Sequence, residues 1–116
     1  MNIIFKENAE EIAKKYTVLD LDTFQFPDGT IHTACCVVEQ VPIMELATVS
    51  SLKDLHENLI LNYAKQDWNY CEQALEHLMG KWGGELDSFY AELKNRIESF
   101  KTMPLDHNWT PVILKN

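Results

Sequence analysis

Between Asp67 and Phe100 the apolar side chains recur at a helical interval, and this spacing constrains the fold more than any other feature of the chain. Trp68, Cys71, Leu75, Leu78, Met79 and Trp82 fall at i, i+3, i+7, i+10, i+11 and i+14. Leu86, Phe89, Tyr90, Leu93, Ile97 and Phe100 repeat nearly the same pattern, so each run presents one apolar face at the 3.6-residue period. Asp67 suits the N-cap of the first helix, because a short carboxylate can accept a free amide of the first turn. Gly83-Gly84 supplies the stop and the reversal before the second. A short loop between successive helices implies antiparallel neighbours. Upstream, "SSLKDLHENLILNYAK" carries Leu52, Leu55, Leu59 and Tyr63 on one stripe, with Ile60 beside it. Ser51 and Asp54 there have the spacing of a capping box, with Asp in place of the usual Glu or Gln.

The N-terminal third has a different character. Phe5, Ala9, Ile12, Ala13 and Tyr16 share a helical face and predict a short helix over about residues 6–14. Its acids lie early and its lysines late, as a helix dipole prefers. "YTVLDLDTFQF" then switches to a period of two, with Leu19 and Leu21 on one face and Asp20 and Asp22 on the other. In "FPDGT", Pro27 and Asp28 suit the central turn positions and Gly29 the left-handed residue of a bulged hairpin. "TIHTACCVVEQV" is the partner strand, Pro42 ends it, and a single helical turn follows. Two strands alone are marginal in water, so the hairpin must pack on the helices or pair with a second copy. The tail "TMPLDHNWTPVILKN" is too apolar for a solvated end and is expected to lie extended along its own body or a neighbouring subunit. The expected fold is α+β: an N-terminal helix, a β-hairpin, three to four antiparallel helices packed on it, and an extended C-terminal tail. All 116 residues form one domain, with the helix and hairpin in 1–41, the helical part in 50–101 and the tail in 102–116.

Charge removes several functions. The formal net charge is -8 and the longest basic run is Lys14-Lys15. Binding to nucleic acid displaces counterions with a basic stripe, and anionic membrane surfaces attract basic clusters, so neither partner is expected. The opening "MNIIFKENAEEIAKKY" has only a four-residue apolar start before its acids, which fits neither a signal peptide nor a membrane span. A cytoplasmic protein is expected. The three cysteines follow no framework spacing and read as free thiols.

Candidate chemistry is sparse. Cys35 and Cys36 are neighbours on a strand, so they point to opposite faces and suit core packing. His32, Cys35, Cys71 and His77 do not have metal-ligand spacing, and no CxxC or HExxH pair is present, so no metal and no cofactor are expected. "HENLI" at His56 lacks the second histidine of a zinc-protease helix. No nucleophile elbow or phosphate loop occurs, and no catalytic residue is assigned. Trp68, Tyr70, Trp82, Phe89 and Tyr90 concentrate aromatic surface that serves either as core or as interface anchors. Tyr70 lies off the main stripe. Tyr70, Trp82, Arg96 and Trp109 are the interaction candidates, with Arg96 able to fork onto Asp87 or a partner's acid. If a ligand pocket lies between hairpin and helices, Tyr16, Asp20, Asp22 and His32 are its polar candidates.

"LNYAKQDWNYCEQALEHL" resembles one helical hairpin of the tetratricopeptide type, with Tyr63 and Trp68 flanking the turn and Cys71 where that family keeps Ala. The resemblance implies an interaction module. The layout of "FKENAEEIAKKYTVLDLDTF" ahead of "QDWNYCEQALEHLMGKWGGELDSFY" is similar to small proteins of marine tailed phages and marine bacteria. The expected function is that of a small acidic accessory or interaction protein, not an enzyme, whose partner is a protein and foremost itself. Two open hairpin edges and the apolar tail motivate a homo-oligomer. A small enzyme or ligand-binding protein, and an acidic inhibitor that occupies a basic site, are the alternatives.

Overall fold

The computed structural model describes residues 1–39 and 46–115. They fall into two compact units, one of the N-terminal residues with the chain end from Pro111, the other of the helices through Thr110. The expected Pro42 stop and the helical turn after it lie outside the described residues.

The first unit is a four-stranded mixed sheet. Its strands are β1 (Asn2–Phe5), β2 (Thr17–Gln25), β3 (Ile31–Val38) and β4 (Ile113–Leu114), in the order β1-β3-β2-β4. β3 pairs antiparallel with both β1 and β2, and β4 lies parallel to the end of β2. The hairpin forms as its turn chemistry requires. Gly29 has φ +87, and Phe26 and Gly29 close the turn through Gly29 N donating to Phe26 O at 2.9 Å. Asp28 Oδ1 accepts from Thr30 N at 2.9 Å and from Thr30 Oγ1 at 2.6 Å, which locks the loop. The register carries a bulge between Asp20 and Thr23, where three steps along β2 oppose two along β3. Leu19, Leu21 and Ala34 to Val38 are buried.

The N-terminal helix does not form. Residues 2–5 are strand β1, and the polar stretch behind it contains two 3-10 turns, Lys6–Asn8 and Ile12–Lys14. A helix of about nine residues gains few hydrogen bonds for its nucleation cost, and this one would bury little. Ile3, Ile4 and Phe5 favour a pleated surface, and β3 offers them a complete ladder. Among residues 6–16 only Ala9 is buried. The hairpin's edges are therefore not both open: β1 covers β3, and β4 covers the last two residues of β2.

The second unit contains three helices, α1 (Leu46–Ala64), α2 (Trp68–Leu78) and α3 (Asp87–Thr102). Three, and not four, is the count among the described residues. α1 begins before Ser51, so Ser51 and Asp54 sit inside the helix and are no capping box. α2 starts at its expected cap, with Asp67 Oδ1 accepting from Tyr70 N at 3.2 Å. It ends at Leu78, a turn earlier than the apolar period suggests, and Trp82 stands in the loop behind it. Gly80 adopts φ +80 there, a conformation that terminates a helix at little cost only for glycine. Gly80 N donates to Asp87 Oδ1 at 2.7 Å, tying the reversal to the start of α3. Gly83 and Gly84 continue it with φ +66 and +81. The core of this unit is Leu59, Tyr63, Cys71, Ala74, Leu75, Leu78, Trp82, Leu86, Phe89, Tyr90, Leu93 and Ile97. Each of its fully buried leucines and isoleucines stabilises the fold by about 1.5–3 kcal/mol.

The tail is fixed within its own chain. Trp109 meets Tyr63, Trp68 and Phe100 edge to face, and all pairs among these four rings have centroids 5.5 to 6.3 Å apart. Past Pro111 the chain forms β4, and Lys115 N donates to Gln25 O at 2.8 Å.

Candidate functional site

The sheet unit carries one open, chemically distinctive surface, at the turn end of the hairpin. Phe5 pairs with Ala34 across β1 and β3, which sets it diagonally beside His32, two residues along the same face. Phe24 pairs with His32, so Phe26, two residues on, reaches the ring from the other side. The centroids of Phe5 and Phe26 each lie 5.4 Å from His32, and the two phenyl rings meet edge to face at 6.0 Å. With Pro27, Asp28 and Thr30 these rings line a shallow hollow of about 460 Å³. Glu7, in the first 3-10 turn, places Oε1 2.6 Å from His32 Nδ1. Hydrogen bonds from Thr30, its side chain first, hold the Asp28 carboxyl below the usual carboxylate range.

The other pocket candidates do not line this hollow. Asp20 accepts from Lys6 Nζ at 2.8 Å and from the Cys35 thiol at 3.4 Å. Asp22 is half-buried at the bulge, and Tyr16 is exposed. Of the four, His32 alone lines the hollow.

The interaction candidates divide. Trp82 is 1% exposed, with its indole Nε1 buried and unpartnered, so it is core and not a surface anchor. Tyr70 is half-buried in the first turn of α2. Arg96 donates to Glu92 at 3.2 Å, one turn back on α3, while Asp87 receives the Gly80 amide. Trp109 belongs to the four-ring cluster. A second, narrower groove of about 210 Å³ runs along α2 and α3, lined by Glu72, Leu75, Glu76, Met79 and Lys94.

Burial, followed by the charge of Asp20, pushes the Cys35 thiol up to about 12. Burial, followed by Asp67 and Glu72, pushes Cys71 up to about 11. Both thiols stay protonated at neutral pH and are poor nucleophiles. Cys71 donates weakly to Leu59 O at 3.8 Å, and His77 is exposed. Among the described residues no three His, Cys, Asp or Glu side chains gather as metal ligands. The buried histidine is His56, whose Nδ1 lies 2.9 Å from Tyr90 Oη and whose ring packs on Phe89. Among the described residues no helix is long and apolar enough to cross a membrane.

Sequence reasoning missed the Phe5, Phe26 and His32 hollow. Phe26 and His32 flank the turn, and the hairpin register alone places them together. Phe5 joins them only through β1.

No family model, curated protein or solved structure matches the chain.

Proposed function

We propose that this chain is a small, acidic, non-catalytic interaction module that associates with a second copy of itself along the outer edge of β1. One observation carries the reading: among the described residues β1 is a terminal strand of the sheet, and beside the polar Asn2 it exposes the apolar Ile3 and Phe5. Met1, Ile3 and Phe5 are 47%, 54% and 37% exposed. An unpaired strand edge offers a row of free amides and carbonyls, and protective devices such as an edge proline or inward charge are missing from "NIIF". A two-fold axis normal to the sheet runs two β1 strands antiparallel with like faces together. Ile3 then meets Ile3 of the second copy, and Met1 meets Phe5. The overall charge of -8 opposes association through other faces, and the edge residues 1–5 carry no charged side chain. The free, buried thiols support a role in the reducing cytoplasm.

Sedimentation equilibrium tests this. The protein is expected to shift with concentration from its 13.5 kDa monomer toward twice that mass. Ile3→Lys, which adds a charge at the pairing edge while leaving β3 its partner, is expected to remain monomeric. A wild-type protein that stays monomeric at millimolar concentration contradicts the proposal.

A further inference from the structure

The hollow at the hairpin's end is lined by Phe5, Phe26, Pro27, Asp28, Thr30 and His32, and Glu7 lies against its histidine. His32 Nδ1 lies 2.6 Å from Glu7 Oε1; in the neutral ring Nδ1–H donates to that carboxylate, and Nε2 is left as an acceptor. Asp28 uses Oδ1 for Thr30, whose hydroxyl and amide both donate to it. Its Oδ2 and the second oxygen of Glu7 are acceptors as well. Among the described residues neither carboxylate has a lysine or arginine partner. The rings of Phe5, Phe26 and His32 line the same hollow as Asp28, and aromatic π faces carry negative potential. The same sheet already holds a cation this way two residues before Phe26, where Lys115 Nζ sits 4.9 Å from the centroid of Phe24 on β2.

We propose that this hollow binds the side chain of an arginine on a partner protein. A guanidinium is planar and stacks on aromatic rings, and its five N–H groups match a rim that offers acceptors and almost no donors. Lysine brings a compact, strongly hydrated charge and fits a shallow open dish less well. The partner is a different protein: the chain's one arginine, Arg96, is half-buried on α3 and paired with Glu92. The proposal extends the interaction-module reading and does not depend on self-association through β1.

The test is an NMR titration of the folded protein with N-acetyl-arginine amide, N-acetyl-lysine amide and the uncharged N-acetyl-norleucine amide, at a concentration where the Ile3→Lys variant is monomeric. Saturable shifts of the Phe5, Phe26 and His32 ring signals are expected with arginine, weaker ones with lysine and none with norleucine. Glu7→Gln and Phe26→Leu, each checked for an unchanged amide spectrum elsewhere, are expected to weaken arginine binding by about two- to fivefold. Equal response to norleucine makes the hollow a generic apolar dish and overturns the proposal. So does the absence of saturable ring shifts with arginine, or full arginine binding by both variants. Arginine binding by a wild-type protein that stays monomeric at every concentration defeats only the β1 pairing; dimer formation without arginine binding defeats only this inference.

Discussion

His56 Nδ1 and Tyr90 Oη lie 2.9 Å apart, both fully buried, and this hydrogen bond ties α1 to α3. Neither side chain is exposed to solvent, so breaking this bond removes a buried polar contact that bulk water does not replace. Tyr90→Phe removes the hydroxyl, leaves the imidazole nitrogen without that partner, and is expected to cost about 1–3 kcal/mol. Urea denaturation of the two proteins measures it. Loss well below this range would show that water or another group takes over the histidine.

Trp82 offers a contrasting case. Its ring is core, yet its indole N–H is buried without a partner, which carries a standing desolvation cost. Trp82→Ala is expected to destabilise by about 3–5 kcal/mol through the cavity it leaves. Trp82→Phe keeps an aromatic ring and removes the orphaned donor, so its cost is expected to be under about 1.5 kcal/mol. The ratio of the two, from denaturation midpoints, decides whether the N–H is truly unpaired; equal losses contradict it.

The buried thiols make stability fall at alkaline pH. Cys35 and Cys71 have folded values of about 12 and about 11, raised from 9.0. Below 9 both the folded and unfolded chains keep these protons, and the thiols add no pH dependence. Above it the unfolded chain releases them and the folded chain does not, so stability is lost as pH rises. Near pH 10 the two thiols together remove about 2–3 kcal/mol. The Cys35→Ala, Cys71→Ala double variant lacks this component, and comparison of urea midpoints at about pH 8 and about pH 10 isolates it from lysine and tyrosine titration. Parallel pH profiles for the two proteins would remove the claim.

Much of the fold was legible because its determinants are local. Pro27-Asp28-Gly29 specify their own turn, Asp67 caps the helix it precedes, and Phe89, Tyr90, Leu93 and Ile97 mark the buried face of α3. The errors came where a distant partner or a single residue outweighed periodicity. Phe5 fits a helical stripe with Ala9 and Ile12, but its strand pairs with residues some thirty positions away. Trp82 continues the α2 period, yet Gly80 ends the helix first and the ring is buried from the loop. The hollow inherits the first error: of its three rings, Phe26 and His32 follow from the hairpin, and Phe5 requires β1. The edge of β1 is likewise not legible locally, because residues 2–5 become a strand only through their pairing with β3.

Hydrogen exchange at the amides of Asn2–Phe5 tests self-association along β1 most directly. The amides that point away from β3 are expected to exchange freely in dilute protein and to gain protection as concentration rises, while those bonded to β3 and the amides of α3 stay unchanged. If the protein doubles its mass with no added protection along β1, the two copies meet elsewhere and the account of this edge is wrong.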